Sequence, residues 1–522
     1  DDVEVSVPKG TLVIRAAELI GVDIPRFCDH PLLDPVGACR QCLVEIPDAG
    51  NGRAMPKPQA SCTIEVMPGM KVKTQLSSPV ADKAQHAQLE FLLINHPLDC
   101  PICDKAGECP LQDYSFNYGS VESRYGEFKR TYPGMDRTAI GPHVIQNMNR
   151  CIHCTRCIRF TAEITGTSEL AFFKRGASTE VGVFPGTPLD NWMSACVTDI
   201  CPTGALTPRE FRFESRVWNL DSTESVCNGC DVGCNLFIGH RNGQVYRYRP
   251  RVNPDVNDHW LCDYGRFSYE QYETDRVVVP KVRTEDDYLA ISTWEEALQS
   301  IGGALTKEAN TVVIASAQMT NEEAWMAKTL FAGQLDAKIG VMVDPIGPIK
   351  MKSRTEWIVG DQAGPNFRGV QALVGDTSID DILTGGAEGV DVLYICDARF
   401  SERASDPAVV ANLRKAKFLV VHSWDANHPL CEVADVVIPG ATHPEKEGTY
   451  TNLQGRVQRI HQAYSPKGQA VSDLEAFRRI GARLFPNHDA FRSADALDIF
   501  AELRASVPDM ISEDARSGGV SA

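Results

Sequence analysis

A chain of 522 residues, 43% of them hydrophobic, is too long for one core, and its length suggests roughly three or four domains. Its formal charge of −17 excludes nonspecific binding to nucleic acid or anionic lipid. No run approaches the roughly 18 apolar residues of a membrane helix, and Asp1 opens no secretory-signal pattern. Eighteen cysteines in a chain this long do not read as a disulfide scaffold, because such scaffolds are short and secreted.

From the N-terminus, the alternation of residues 3–7 predicts a strand, leading into a helix capped by Thr11 and ended by Gly21. Cys28, Cys39 and Cys42 follow in C-x10-C-x2-C spacing, where Gly37 and Ala38 allow close backbone approach. Cys62 comes after a further strand and loop. Thiolates are soft, charged donors, and a cluster normally takes four of them. The set therefore reads as a [2Fe–2S] site in a ferredoxin-like domain over residues 1–78, although plant-type proteins have a shorter gap before the paired cysteines. A tetrahedral zinc site is the alternative.

An amphipathic helix is predicted over 80–93. It runs into His96, Cys100, Cys103 and Cys109, a set with only three thiolates. The missing fourth donor makes His96 the candidate, whereas His30 and His86 have no such argument and read as packing or surface residues. Imidazole in place of thiolate removes negative charge and tends to raise the reduction potential. Next, RCIHCTRCIRF at 150–160 supplies Cys151, Cys154 and Cys157 in the C-x2-C-x2-C spacing of a [4Fe–4S] site. Cys196 and Cys201 compete for the fourth place. Cys201 is preferred because Pro202 follows it, and Cys196 then reads as a packed thiol. His153, inside the motif, is expected beside the cluster rather than on it. Both sets fall within residues 79–220.

Cys227, Cys230, Cys234 and Cys262 form a fourth set over residues 221–277, with a hairpin between them turning at Asn242-Gly243. Fifteen of the eighteen cysteines are now placed in ligand spacing. Four redox centres in sequence order on one polypeptide are most simply an electron wire. Beyond about Pro280 such cysteines cease. Apolar strands at 311–316, 392–398, 418–423 and 435–440, with helices from Asn321 and over 406–416, predict a parallel, doubly wound sheet. The tail from Ser472 reads as helical and charged. Cys396 and Cys431 read as packing residues.

The segment HPLDCPICDKAGECPLQD, 96–113, resembles the signature of the large iron–sulfur subunit of respiratory complex I, NADH:quinone oxidoreductase, and the resemblance covers the chain in order. The fourth cysteine set resembles the N-terminal [4Fe–4S] motif of molybdopterin oxidoreductases. HPEKEGTYTNLQGRVQRI, 443–460, resembles that family's EGTYTN loop. The implied fold is α+β and multidomain: a [2Fe–2S] ferredoxin-like N-terminal domain, a [4Fe–4S] ferredoxin-like middle, and a degenerate molybdopterin-oxidoreductase-like α/β domain over 278–522. The resemblance implies one [2Fe–2S] and three [4Fe–4S] clusters. It implies partners in the complex I peripheral arm: an NADH- and FMN-binding subunit, a small [2Fe–2S] subunit and the quinone-module subunits. The expected location is peripheral, on the cytoplasmic face of a bacterial plasma membrane, without direct membrane insertion. No Gly-rich phosphate loop follows a strand, so neither NADH nor FMN is expected on this chain. No residue able to ligate molybdenum stands out, so no molybdopterin is expected either, and the fourth cluster reads as a relic or a stability element. No catalytic residue is assigned. The alternative is a subunit of an NAD-linked formate dehydrogenase or hydrogenase. The former needs a metal-ligating residue and a second ferredoxin run, and an iron-only hydrogenase needs further cysteine motifs; the sequence has none of these.

Overall fold

The computed structural model describes residues 1–273, 275–343, 364–396, 402–492 and 495–506. They fall into two units, one of Asp1–Leu220 and the other beginning at Asp221.

In the first unit, strand Leu43–Ala49 runs between Gln59–Ala60 and Met70–Lys73 in an antiparallel sheet. Helix Val13–Leu19 buries Val13, Ile14, Ala16 and Ala17, and Gly21 ends it with φ +75°. Two local expectations fail. The Thr11 hydroxyl donates to Pro8 O at 2.8 Å instead of capping, so the helix starts behind Leu12 with no side-chain cap. Residues 3–7 join no sheet. Instead, Asp1 N donates to Val72 O at 2.7 Å and the Asp1 carboxylate accepts from Thr74 N at 2.9 Å. Val3 stays 60% exposed, and an alternating segment without a neighbouring strand gains no ladder. The helix expected over 80–93 is Pro79–Leu93. The Ser78 hydroxyl accepts from the N–H groups of Val80 and Ala81, and Pro79 presets the first turn. Gln85 ties this helix to the sheet by donating to Leu43 O at 2.9 Å. The rest of the unit is loop-rich, framed by a sheet of Thr138–Ala139, Val144–Gln146 and Leu206–Pro208 and a hairpin of Leu170–Phe173 with Glu180–Val183.

The second unit opens with an antiparallel meander, Asp221–Val226, Asn235–Arg241 and Gln244–Pro250. Its second turn is Asn242-Gly243, with φ of 53° and 74°, both positive as a two-residue type I′ hairpin requires. A seven-stranded sheet follows. Its spatial order is Leu289–Ile291, Lys281–Arg283, Val436–Pro439, Phe418–Ser423, Val392–Cys396, Thr311–Ser316 and Lys338–Met342. The last five pair in parallel, while Lys281–Arg283 pairs antiparallel with both of its neighbours, so the sheet is mixed where a parallel one was expected. Three-residue strands carry too little periodicity to be read from sequence, and Lys338–Met342 is an edge strand with an exposed first residue. The last two residues of the strand expected over 392–398, and the tail beyond 506, lie outside the described residues.

Helices cover both faces of this sheet. One core gathers Phe331, Tyr394 and Phe477 with Ile301 and Leu503, and the other gathers Ile314, Leu393, Leu419 and Leu430. Burying each such side chain is worth about 1.5–3 kcal/mol. The helix expected from Asn321 starts with a capping box between Thr320 and Glu323, then widens into a π-turn at Lys328–Ala332. Chain order reverses between Thr311–Ser316 and Val392–Cys396, the switch point at which open α/β sheets usually present a crevice.

Candidate metal centres

The first set is a closed group of buried thiols. Cys28, Cys39, Cys42 and Cys62 are 0 to 3% exposed and belong to one apolar core with Ile14, Phe27 and Val44. The backbone is left-handed at Gly37 and at Arg40, whose φ is 58°. That conformation costs a residue with a side chain roughly 1–3 kcal/mol. It turns the loop so that Cys28 N donates to Cys39 Sγ at 3.3 Å. The thiols contact one another in a chain: Cys39 and then Cys62 push Cys28 down, Cys62 pushes Cys42 down to about 7, and Cys39 and Cys62 move up in exchange. Four thiols in mutual contact in a dry pocket are a donor set that a metal centre fits, losing their protons when it binds.

In the second set, Cys103 and Cys109 are buried while Cys100 is exposed. Burial pushes the Cys109 thiol up to about 11 and raises that of Cys103. The His96 ring follows helix Pro79–Leu93, and its Nδ1 is buried without a hydrogen-bond partner. Burial first, then the charges of Lys129 and Arg150, push His96 down to about 4. A neutral imidazole with an unsatisfied nitrogen is in the state a metal ligand requires. Arg150, paired with Asp99 at 2.9 Å, also bears on Cys103, so His96 and Cys103 share one guanidinium as a neighbour.

The third set lines one cavity. Cys151, Cys154, Cys157 and Cys201 face it together, with Arg156, Pro202 and Thr203 among the other lining residues. Left-handed backbone at His153 and Thr155, φ 53° and 67°, coils the C-x2-C-x2-C segment around that space. Cys196 is fully buried and lies outside the lining, whereas Cys201 is within it. The His153 ring is held beside the cavity, with Nε2 at 3.0 Å from Thr179 O and the ring stacked on Phe172 at 6.0 Å. Burial raises the three motif thiols, Cys154 to about 11.

The three sets of this unit are neighbours. Cys154 packs in the same apolar core as the four cysteines of the first set, and its thiol feels the charge of Cys28. On its other side, the loop that carries Cys201 closes on the second set. Pro202 O is 3.5 Å from Cys109 Sγ, and a Cβ at Gly204 would stand 2.2 Å from Cys103 Sγ. Gly204 is therefore a functional residue that spacing alone did not single out. Its signal was the glycine two places after Cys-Pro.

The fourth set opens and closes the meander's first turn: Cys227 follows strand Asp221–Val226, and its N–H donates to Cys234 O at 2.7 Å. Burial pushes Cys227 up to about 12 and raises Cys230, Cys234 and Cys262. Gly265 leaves the room they need, because a Cβ there would be 2.4 Å from Cys227 Sγ and 3.7 Å from Cys262 Sγ. The EGTYTN loop binds this set's backbone to the α/β domain. Asn452 and Gln458 donate to Val232 O and Gly233 O at 3.1 and 2.8 Å, between Cys230 and Cys234. Thr449 holds Glu322 through its N–H and hydroxyl, both at 2.8 Å, and Lys446 pairs with Glu323 and Asp473. Beside the set, Asn228, Gln318, Trp424, Thr442, His443 and Lys446 line a cavity of about 30 Å³, room for a water or two.

Among the described residues, no three His, Cys, Asp or Glu side chains converge tightly enough to cage a single ion. Cys396 and Cys431 are buried in the α/β cores.

Known families match along the chain. Residues 1–77 match the 2Fe-2S iron-sulfur cluster binding domain, and 85–124 the NADH-ubiquinone oxidoreductase-G iron-sulfur binding region. Residues 141–207 match the ferredoxin-like domain of NADH-quinone oxidoreductase subunit 3, and 220–270 the NDSU1/NuoG-like 4Fe-4S domain. Residues 369–483 match molybdopterin oxidoreductase. The chain is 47% identical to a protein of the NADH-quinone oxidoreductase of Streptomyces coelicolor, over 62% of this chain and 38% of that protein. It is 45% identical to the protein of the same name from Mycobacterium bovis, over 62% of this chain and 40% of that protein, so these alignments span less than half of those relatives. With the 78 kDa subunit of NADH-ubiquinone oxidoreductase from Neurospora crassa it is 37% identical, over 93% of this chain and 80% of that protein. With the ligand sets, the ordered domain matches and this near-complete alignment in agreement, the chain belongs to the family of the large iron–sulfur subunit of NADH:quinone oxidoreductase.

Proposed function

We propose that this chain is the electron-relay subunit of the peripheral arm of a bacterial NADH:quinone oxidoreductase, taking electrons from a flavin subunit towards quinone. In this reading Cys28, Cys39, Cys42 and Cys62 hold a [2Fe–2S] cluster. Three [4Fe–4S] clusters are held by His96 with Cys100, Cys103 and Cys109, by Cys151, Cys154, Cys157 and Cys201, and by Cys227, Cys230, Cys234 and Cys262. Clusters of these kinds supply one-electron carriers.

The observation that carries the reading is the contiguity of three ligand sets within one unit: Cys154 shares a core with the first set, and Gly204 abuts Cys103. That spatial order, first to third to second, differs from the order in sequence. The chain's own residues place the ligands, exclude water and set the charge around them; no general acid, base or nucleophile is required. The partners proposed are the NADH- and FMN-binding subunit, the small [2Fe–2S] subunit and the quinone-module subunits, with the chain peripheral on the cytoplasmic face of the plasma membrane. No helix among the described residues is long and apolar enough to cross a membrane.

EPR of the dithionite-reduced intact complex tests the ligand assignment. Cys201→Ser should abolish or badly distort the third cluster's signal, while Cys196→Ser should leave it intact. Equal damage from both would overturn the choice of Cys201.

A further inference from the structure

Two arginines flank Cys157 and reach across to the first ligand set. Arg159 donates through Nη2 to Cys28 O, through Nη1 to Asp34 O at 2.5 Å, and through Nε to the Thr155 hydroxyl at 3.1 Å. All of its nitrogens are engaged, and it acts as a fastener. Arg156 is different. Its Nη2 donates to Asp29 O at 2.5 Å, one residue after Cys28, and its Nη1 to Ile200 O at 3.1 Å, one residue before Cys201. One planar guanidinium thus spans the ligand loops of two centres, a geometry that a fork of fixed donors suits and a lysine does not.

Its third nitrogen is the informative one. Arg156 lines the cavity shared by Cys151, Cys154, Cys157 and Cys201, yet its Nε is buried without a hydrogen-bond partner. A buried, charged N–H left unsatisfied forfeits the hydrogen bond it made to water, and native structures seldom keep one without a use. The cavity's other walls are thiols and mainly apolar groups, and a cluster filling it would bring sulfur to that donor. Hydrogen bonds to cluster sulfurs and nearby positive charge both favour the reduced state.

We propose that Arg156 is the positioning residue between the first and third centres. It fixes the Cys28 loop against the Cys201 loop, and its Nε–H donates to a sulfur of the third cluster, raising that cluster's potential. This inference rests on the ligand assignment above. The step it serves moves one electron, oxidising the reduced [2Fe–2S] centre and reducing the oxidised [4Fe–4S] centre; no bond forms or breaks and no proton moves.

The test uses the intact complex carrying Arg156→Gln or Arg156→Lys, with redox titration followed by EPR and freeze-quench after NADH addition. In Arg156→Gln the third cluster's midpoint should shift downward, and transfer between the two centres should slow by about tenfold or more, while the fourth cluster's midpoint stays fixed. Arg156→Lys keeps the charge but not the fork, so its midpoint should fall less while transfer still slows. Should Arg156→Gln fail to assemble, the lysine variant decides alone. A wild-type midpoint and a wild-type transfer rate in an assembled variant would overturn the proposal. Absence of a third-cluster signal from the unsubstituted complex would instead overturn the ligand assignment itself.

Discussion

His96 decides whether the second set is complete, since three thiolates leave one iron corner without a protein donor. Its ring is held neutral by burial and by two neighbouring cations, with Nδ1 unsatisfied. Replacement by cysteine adds a negative charge to the ligand set. His96→Cys should therefore retain a [4Fe–4S] centre with an altered EPR signal and a lower midpoint potential. An unchanged signal in both His96→Cys and His96→Ala would place the histidine beside the cluster. The same scale explains Gly204 and Gly265. Each stands where a single methyl group would overlap a cysteine sulfur, so each is demanded by space rather than by turn geometry.

Among the elements, the EGTYTN loop has a structural task that needs no pterin. Through Thr449 it closes over Glu322 in the first turn of the helix after Thr311–Ser316, and through Asn452 and Gln458 it holds the loop between Cys230 and Cys234. Burial raises Glu322 from 4.5 to about 7, against the lowering effect of its bonds to Thr449. Between those two pH values the folded state keeps a proton that the unfolded chain has lost, so stability falls as pH rises through that window. The loss is at most about 3 kcal/mol at and above neutral pH. Glu322→Gln has no proton to release, and the Thr449 hydroxyl can turn to accept from the amide. Denaturant unfolding of the second unit's transition, compared at pH 5 and pH 7.5, should then lose less stability across that interval in the variant than in the parent. An equal loss in both would remove Glu322 as its cause.

At the scale of the molecule, the C-terminal half keeps the doubly wound sheet of a molybdopterin oxidoreductase. Function resides in sites grafted on folds, and a sheet can outlast its site as a scaffold. Elemental analysis of the purified complex should find iron far above molybdenum and tungsten. Stoichiometric molybdenum with bound pterin would sink the scaffold reading and restore a formate dehydrogenase-like one.

The sequence by itself carried the proposed ligand sets, because cluster binding depends on residue type at short spacing, and C-x2-C-x2-C is a wholly local pattern. It also determined the α/β texture, because buried parallel strands such as Thr311–Ser316 and Phe418–Ser423 are continuous apolar runs. Features that depend on partners remote in sequence were not legible. Residues 3–7 alternate correctly but find no strand to pair with, and Thr11 spends its hydroxyl on Pro8 instead of a cap. Lys281–Arg283 joins the large sheet through Val436–Pro439, a strand far along the chain, while its hairpin partner Leu289–Ile291 is local. Only the tertiary structure set Arg156 between two ligand loops and brought the first and third cysteine sets together. Those contacts join residues tens to more than a hundred positions apart, and no local pattern encodes which distant loop will be packed against which.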